Sequence, residues 1–175
     1  NWPWEFDAFE QINTVDFGDC YFDHGRQSEI PEAITGHARQ ILAEDCAMLT
    51  LGGDHFITLP LLRAHVEKHG PVSLLHFDAH TDTWDDESGR IDHGTMFFHA
   101  VREGLVEPEH SVQVGIRTVN DDPLGFNILP ADWVHEHGVN ALIAEIRRIL
   151  GGRKTYLTFD IDCVDPAFAP GTGTP

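Results

Sequence analysis

Val72-Ser73-Leu74-Leu75-His76-Phe77-Asp78-Ala79-His80-Thr81-Asp82 passes within a few residues from an apolar run to a cluster of acids and imidazoles. An apolar run of that length, with no polar face, reads as a strand buried on both sides, and the polar cluster marks where it leaves the sheet. The same pattern recurs outward from this stretch. Cys46 to Leu51 is an apolar run closed by Gly52-Gly53-Asp54-His55, and Tyr156 to Phe159 runs into Asp160-Ile161-Asp162-Cys163-Val164-Asp165-Pro166. Ser111 to Ile116 and the shorter alternation Ile12 to Phe17 are further strand candidates.

Helical spacing fills the intervals. Pro31 opens a segment with Ile34, Ala38, Ile41 and Leu42 on one face, and a first-turn proline costs nothing because its missing N–H would have no intrahelical partner. A second helix is predicted over Ile57 to His69, stopped by Gly70, and a third over Asn140 to Leu150, stopped by Gly151-Gly152. Strands alternating with helices imply an α/β fold with a parallel sheet covered on both faces. The stretch from Asp82 to about His110 shows no clear period and is expected to be a long functional loop.

Composition narrows the function. With 41% hydrophobic and 23% charged residues over 175 positions, the chain is an ordinary folded domain rather than a disordered or fibrous one. Eleven Lys plus Arg against 29 Asp plus Glu leave a formal charge of −18, which repels phosphate backbones and anionic lipids. Nucleic acid and membrane partners are therefore not expected; the balance suits a cationic substrate or a bound divalent metal, or serves only as solubilising surface, and composition does not choose between them. Cys20, Cys46 and Cys163 form no CxxC pair, so neither a disulfide framework nor a zinc knuckle is indicated, and a cytoplasmic setting is the default. The opening at Asn1 without Met and the close at Gly171-Thr172-Gly173-Thr174-Pro175 read as cuts through a longer protein, with residues 1–175 forming a single truncated domain.

The polar clusters fall at the C-terminal ends of predicted strands, the edge at which open parallel sheets bind ligands. Asp78, His80 and Asp82 alternate, so an extended backbone would aim them to one side, and Asp160 and Asp162 share that geometry. With His55 they make six candidate metal ligands, four carboxylates and two imidazoles. Several carboxylates buried against apolar strands would repel one another unless cations neutralise them. The set is large enough for two ions. Oxygen-rich ligands without thiolate favour a hard divalent ion such as Mn²⁺, although Zn, Fe, Co and Ni stay open on ligand type alone. Two such ions a few ångströms apart activate water for hydrolysis.

Other polar residues read differently. Asp54 and Asp165 suit helix caps or turns, His76 lies deeper in its strand and suits packing behind the ligands, and Cys163 reads as a small buried hydrophobe. His93, in Asp92-His93-Gly94-Thr95, is a candidate proton shuttle or an exposed loop histidine. His135 and His137 have ligand-like spacing but no strand to fix it, and Trp2, Trp4, Trp84 and Trp133 make no spaced stripe.

Gly52-Gly53-Asp54-His55, His76 to Asp82, Asp160 to Pro166 and Ala169-Pro170-Gly171-Thr172-Gly173 together resemble the ureohydrolase family, the arginase and agmatinase group, over nearly the whole chain. The resemblance implies a three-layer α/β/α sandwich around a mainly parallel sheet, a homo-oligomer (trimer or hexamer), and a pair of Mn²⁺ ions in each subunit. It implies His55 on one metal and His80 on the other, with Asp78, Asp82 and Asp160 bridging and Asp162 completing the second site. His93 matches the family's proton-transfer histidine, and the departing amine would gain its proton most simply through Asp160 or water. Phe56 to Arg63, Asp92 to Phe97 and His110 to Arg117 resemble the bacterial agmatinase branch, which implies hydrolysis of agmatine to putrescine and urea. The loop Thr83 to Arg90 has no Asn of the kind arginases use for an α-amino acid, so an amine substrate fits better. Arg90 keeps guanidinobutyrate as an alternative substrate, and an inactive metal-binding relative is the non-enzyme alternative. The family's guanidinium-binding Glu would lie beyond Pro175.

Overall fold

The structure is a computed structural model that describes residues 5–85 and 88–173. Its centre is a four-stranded, all-parallel sheet of β1 (Ser73–Phe77), β2 (Val112–Ile116), β3 (Asn127–Pro130) and β4 (Thr155–Phe159), in the order β3-β2-β1-β4. Helix α1 (Ala8–Gln11) is a single turn, α2 spans Ile30–Leu42, α3 Thr58–His69, α4 Met96–Arg102 and α5 Ala131–Leu150.

Alternation along β1 decides what lies on each face. Leu74 faces Leu59 and Leu62 of α3 and Met96, Phe97 and Ala100 of α4, closed off by Val106 and Phe126. Leu75 and Phe77 point the other way, with Val112, Val114 and Leu129, onto Leu142, Ile146 and Ile149 of α5. Helices thus cover both faces, and the α/β expectation with its parallel sheet is met. α2 packs outside α3 through Ile34, Ala38 and Leu42 against Leu61 and Ala64. Both helices lie close to their expected bounds, and α3 stops at Gly70 with φ 75°, a conformation glycine adopts at little cost.

Several expectations change. Ile12 to Phe17 and Cys46 to Leu51 have no ladder partner among the described residues, and Leu49 and Leu51 are 87% and 90% exposed. A groove of about 880 Å³ separates residues 46–54 from β4, so the apolar run meets no strand edge to pair with. The expected loop from Asp82 to His110 contains α4, whose Met96, Phe97, Phe98 and Ala100 are all buried. A helix buried on nearly every side shows no amphipathic period. The turn-rich stretch before Asn140 holds β3, four residues closed by Pro130 at the sheet edge, and the first part of α5. α5 breaks at Gly138 (φ 76°, ψ 172°), which is why only its second half has regular spacing. Trp2, Trp4, Asp86 and Glu87 lie outside the described residues.

Candidate metal centre

Register builds the site. β1 and β4 pair so that Phe77 lies beside Phe159, and the Asp160 N–H donates to the Phe77 carbonyl at 2.8 Å. Asp78 and Asp160 therefore leave the sheet side by side although 82 positions separate them in sequence (160 − 78). On the other flank, β2 carries a bulge at Gly115. Gly115 has φ 91°, and a Cβ there would lie 3.2 Å from the Asp78 carbonyl oxygen, so the close approach of β2 to the site requires glycine.

Past the strand ends the backbone does not stay extended, and this corrects the alternation expected for Asp78, His80 and Asp82. The Asp78 side chain turns back to accept the His80 N–H at 2.7 Å, and Asp82 takes a left-handed φ of 53°. Asp160 likewise caps a short 3₁₀ turn, Ile161–Cys163, by accepting the Asp162 N–H at 3.1 Å. The carboxylates converge because the chain turns around them.

His55 enters from the third cluster. Asp54 caps the turn His55–Ile57 by accepting the Phe56 N–H at 3.0 Å, the structural role its sequence position suggested. The buried His55 ring places Nε2 2.8 Å from Thr158 Oγ1. Its Nδ1 lies 3.0 Å from Asp78, 3.1 Å from Asp82 and 3.3 Å from Asp160, each time to Oδ2. None of these contacts has hydrogen-bond direction, so the buried Nδ1 has no hydrogen-bond partner. On the other side, His80 Nδ1 lies 3.2 Å from Asp78 Oδ1 and 3.1 Å from Asp162 Oδ2.

Two groups of donor atoms result, His55 with His76, Asp78 and Asp82, and His80 with Asp78 and Asp162. Asp78 belongs to both, turning Oδ2 to the first and Oδ1 to the second. Asp160 joins the first group through its contact with His55. An undirected imidazole nitrogen among three carboxylates, next to a second imidazole between two, fits cations at both positions. His76 is fully buried, with Nε2 2.8 Å from Asp78 Oδ2 and its ring packed on Phe97, so it holds Asp78 from behind.

The electrostatics follow. Burial disfavours a charge on His55, but Asp160, Asp78 and Asp82 outweigh it and push its pKa up to about 11, so without metal an imidazolium neutralises the cluster. Asp78 is buried, yet the close His55 imidazole and the hydrogen-bonded His76 hold it well below the usual carboxylate range. Burial raises Asp82, and His55 lowers Asp160. Burial, then the charges of Asp78, Asp162 and Asp160, push the Cys163 thiol up to about 11, consistent with packing rather than nucleophilic duty.

His93 lies apart from the cluster, 72% exposed on the rim, with Nδ1 3.9 Å from Asp54 Oδ1. It shares with the carboxylate and imidazole cluster a cavity of about 830 Å³, also lined by Trp84, Arg90 and Asp92. His135 and His137 are carried on α5, where His137 stacks on Trp133, and converge on nothing at the site. Asp165 accepts the Ala167 N–H in a turn. The supporting residues were not legible in the sequence. Thr158 orients His55, Arg117 donates to the Asp162 carbonyl, and Gln113 and Asn120 tie down Thr81 and Thr83. Only the position of Thr158 two residues before Asp160 hinted that its side chain faces the site.

A family model described as the arginase family matches residues 1–175. The chain belongs to the arginase family. An agmatinase of Chromobacterium violaceum is 58% identical over 99% of this chain and 55% of its own length. The crystal structure of a hypothetical agmatinase from Burkholderia thailandensis is 60% identical, with a TM-score of 0.97 over 100% of this chain and 56% of that one. Proclavaminate amidino hydrolase from Streptomyces clavuligerus is 42% identical, with a TM-score of 0.89 over 95% of this chain and 58% of that one. The chain thus spans a little over half the length of these arginase-family relatives. Among the described residues no helix is long and apolar enough to cross a membrane.

Proposed function

We propose that the protein to which this chain belongs is an agmatinase that hydrolyses agmatine to putrescine and urea with two manganese ions in each subunit. The observation that carries the proposal is the convergence of His55, Asp78, Asp82 and Asp160 on one side, and of His80, Asp78 and Asp162 on the other, at the floor of one cavity. These six residues would hold the metals. Bound there, the ions would supply a water activated for attack on the guanidinium carbon, a poor electrophile because its charge is delocalised.

The chain's own groups handle substrate charge and protons. Asp54, Asp85 and Asp92 line the cavity with the ligand carboxylates, an environment that attracts a cation at both ends of agmatine. Asp160, less buried than Asp78 and open to the cavity, would pass a proton to the departing amine. His93 on the rim would exchange that proton with solvent, and its exposure suits the task. Similarity to agmatinases over 99% of the chain supports this choice of substrate. Guanidinobutyrate is the second reading, and the one feature favouring it is Arg90 on the cavity wall.

The test is urea release by the full-length protein after Mn²⁺ loading, with agmatine, arginine and guanidinobutyrate compared under identical conditions and bound metal counted on the same sample. Urea from agmatine at about two metals per chain is expected. Two bound metals without urea from any of the three would refute the activity.

A further inference from the structure

Of the six candidate ligands, only Asp82 has a left-handed backbone, with φ 53°. That conformation is unfavourable for a residue with a Cβ, and it persists where the surroundings over-determine it. For Asp82 the surroundings come mainly from β2 and the loop that follows it. The fully buried Gln113 side chain donates from β2 to the Thr81 carbonyl at 2.7 Å. Beyond the strand, the Asn120 amide grips both neighbours of Asp82. Its Nδ2 donates to Thr81 Oγ1 at 3.0 Å and to Thr83 Oγ1 at 2.8 Å, and both threonines are buried. Its Oδ1 accepts the Asp122 N–H at 3.1 Å, which fixes the way the amide faces. The two hydroxyls also meet each other at 3.0 Å, and the Phe97 N–H donates to the Asp82 carbonyl at 3.0 Å. Held from both sides, Asp82 brings Oδ2 to 3.1 Å from His55 Nδ1.

We propose that Asn120 is a positioning residue for the metal position on the His55 side, holding Asp82 in its left-handed conformation by gripping the hydroxyls on either side of it. The proposal rests on the two-metal reading above and deepens it. Freed of that grip, Asp82 relaxes toward the negative φ that residues with a Cβ favour, and its carboxylate leaves His55. The other position is held separately. Asp82 groups with His55 and not with His80 and Asp162. His80 is fixed by Asp78 on its N–H and by the N–H groups of Arg117 and Thr118 on the Ala79 carbonyl before it. The influence of Asn120 therefore falls on one metal and not on both.

The experiment uses the full-length protein as wild type, Asn120→Ala, the pair Thr81→Val with Thr83→Val, and all three changes together. The two Mn²⁺ binding steps are resolved by competition with a fluorescent chelator, and the step on the His55 side is identified as the one lost in His55→Ala. Asn120→Ala is expected to weaken that step at least about tenfold and to leave the other within about twofold of wild type. Val keeps the shape of Thr, so the threonine pair tests the hydroxyls alone and should reproduce the selective loss. Because one amide acts through those two hydroxyls, the combined variant should lose no more than the threonine pair, whereas independent contributions would multiply. Equal weakening of both steps, a His55-side step within about twofold of wild type in Asn120→Ala or in the threonine pair, or multiplied losses in the combined variant would each overturn the proposal. Two bound ions without urea from agmatine would refute the agmatinase reading alone, and the binding steps would still decide the role of Asn120.

Discussion

Replacing Thr158 with Val tests whether His55 is held as a ligand. Val keeps the volume and the strand preference of Thr but removes the hydroxyl 2.8 Å from His55 Nε2. For Nδ1 to face a cation among Asp78, Asp82 and Asp160, the ring must be neutral with its proton on Nε2, and Thr158 is the acceptor for that proton. Without it a buried N–H is left unpaired, a loss of about 1–3 kcal/mol. Loss of such an outer partner weakens metal binding by about 10–100-fold, or roughly 1.4–2.7 kcal/mol. Because Thr158 does not touch His80, the loss should appear in one of two Mn²⁺ binding steps, measured by competition with a fluorescent chelator and followed by calorimetry. Thr58→Val, which removes only the 3.4 Å contact to Thr158 Oγ1, serves as control and should keep near-native affinity. A folded Thr158→Val protein that binds both ions within about twofold of wild type would refute the reasoning, since the expected loss is at least tenfold.

Three further outcomes are expected. Without metal, His55 has its pKa raised from 6.5 to about 11, so the stability it contributes is complete below pH 6.5 and is lost as pH rises through about 11. Thermal melts in chelator should fall across that window, while melts in saturating Mn²⁺ should not follow the same curve, and a flat metal-free profile would contradict the imidazolium assignment. His93→Asn should lower kcat on the order of 10²-fold with the metal count unchanged and be partly rescued by imidazole buffer; loss of metal instead would move His93 from proton transfer to the metal site. Gly115→Ala places a side chain at φ 91° and 3.2 Å from the Asp78 carbonyl, so destabilisation of about 1–2 kcal/mol in urea unfolding, together with weaker metal binding, is expected. Unchanged stability would show that the bulge has room to adjust.

The strand identities of β1, β2 and β4, the helices α2 and α3, and the six residues that meet at the cavity floor were legible in the amino-acid order. Each strand is a short apolar run ending in polar residues, and acids crowded at strand ends have few reasons to be there other than a cation. That order could not show α4, because a helix buried on nearly every side carries no 3.6-residue period, nor β3, which is too short to have a pattern. Extended runs such as Cys46 to Leu51 have strand composition, but a strand exists only with a partner, and a groove lies between this run and β4. Tertiary structure alone decided which carboxylate serves both sides, because Asp78 is positioned by the pairing of β1 with β4, by the turn into His80 and by the bulge at Gly115.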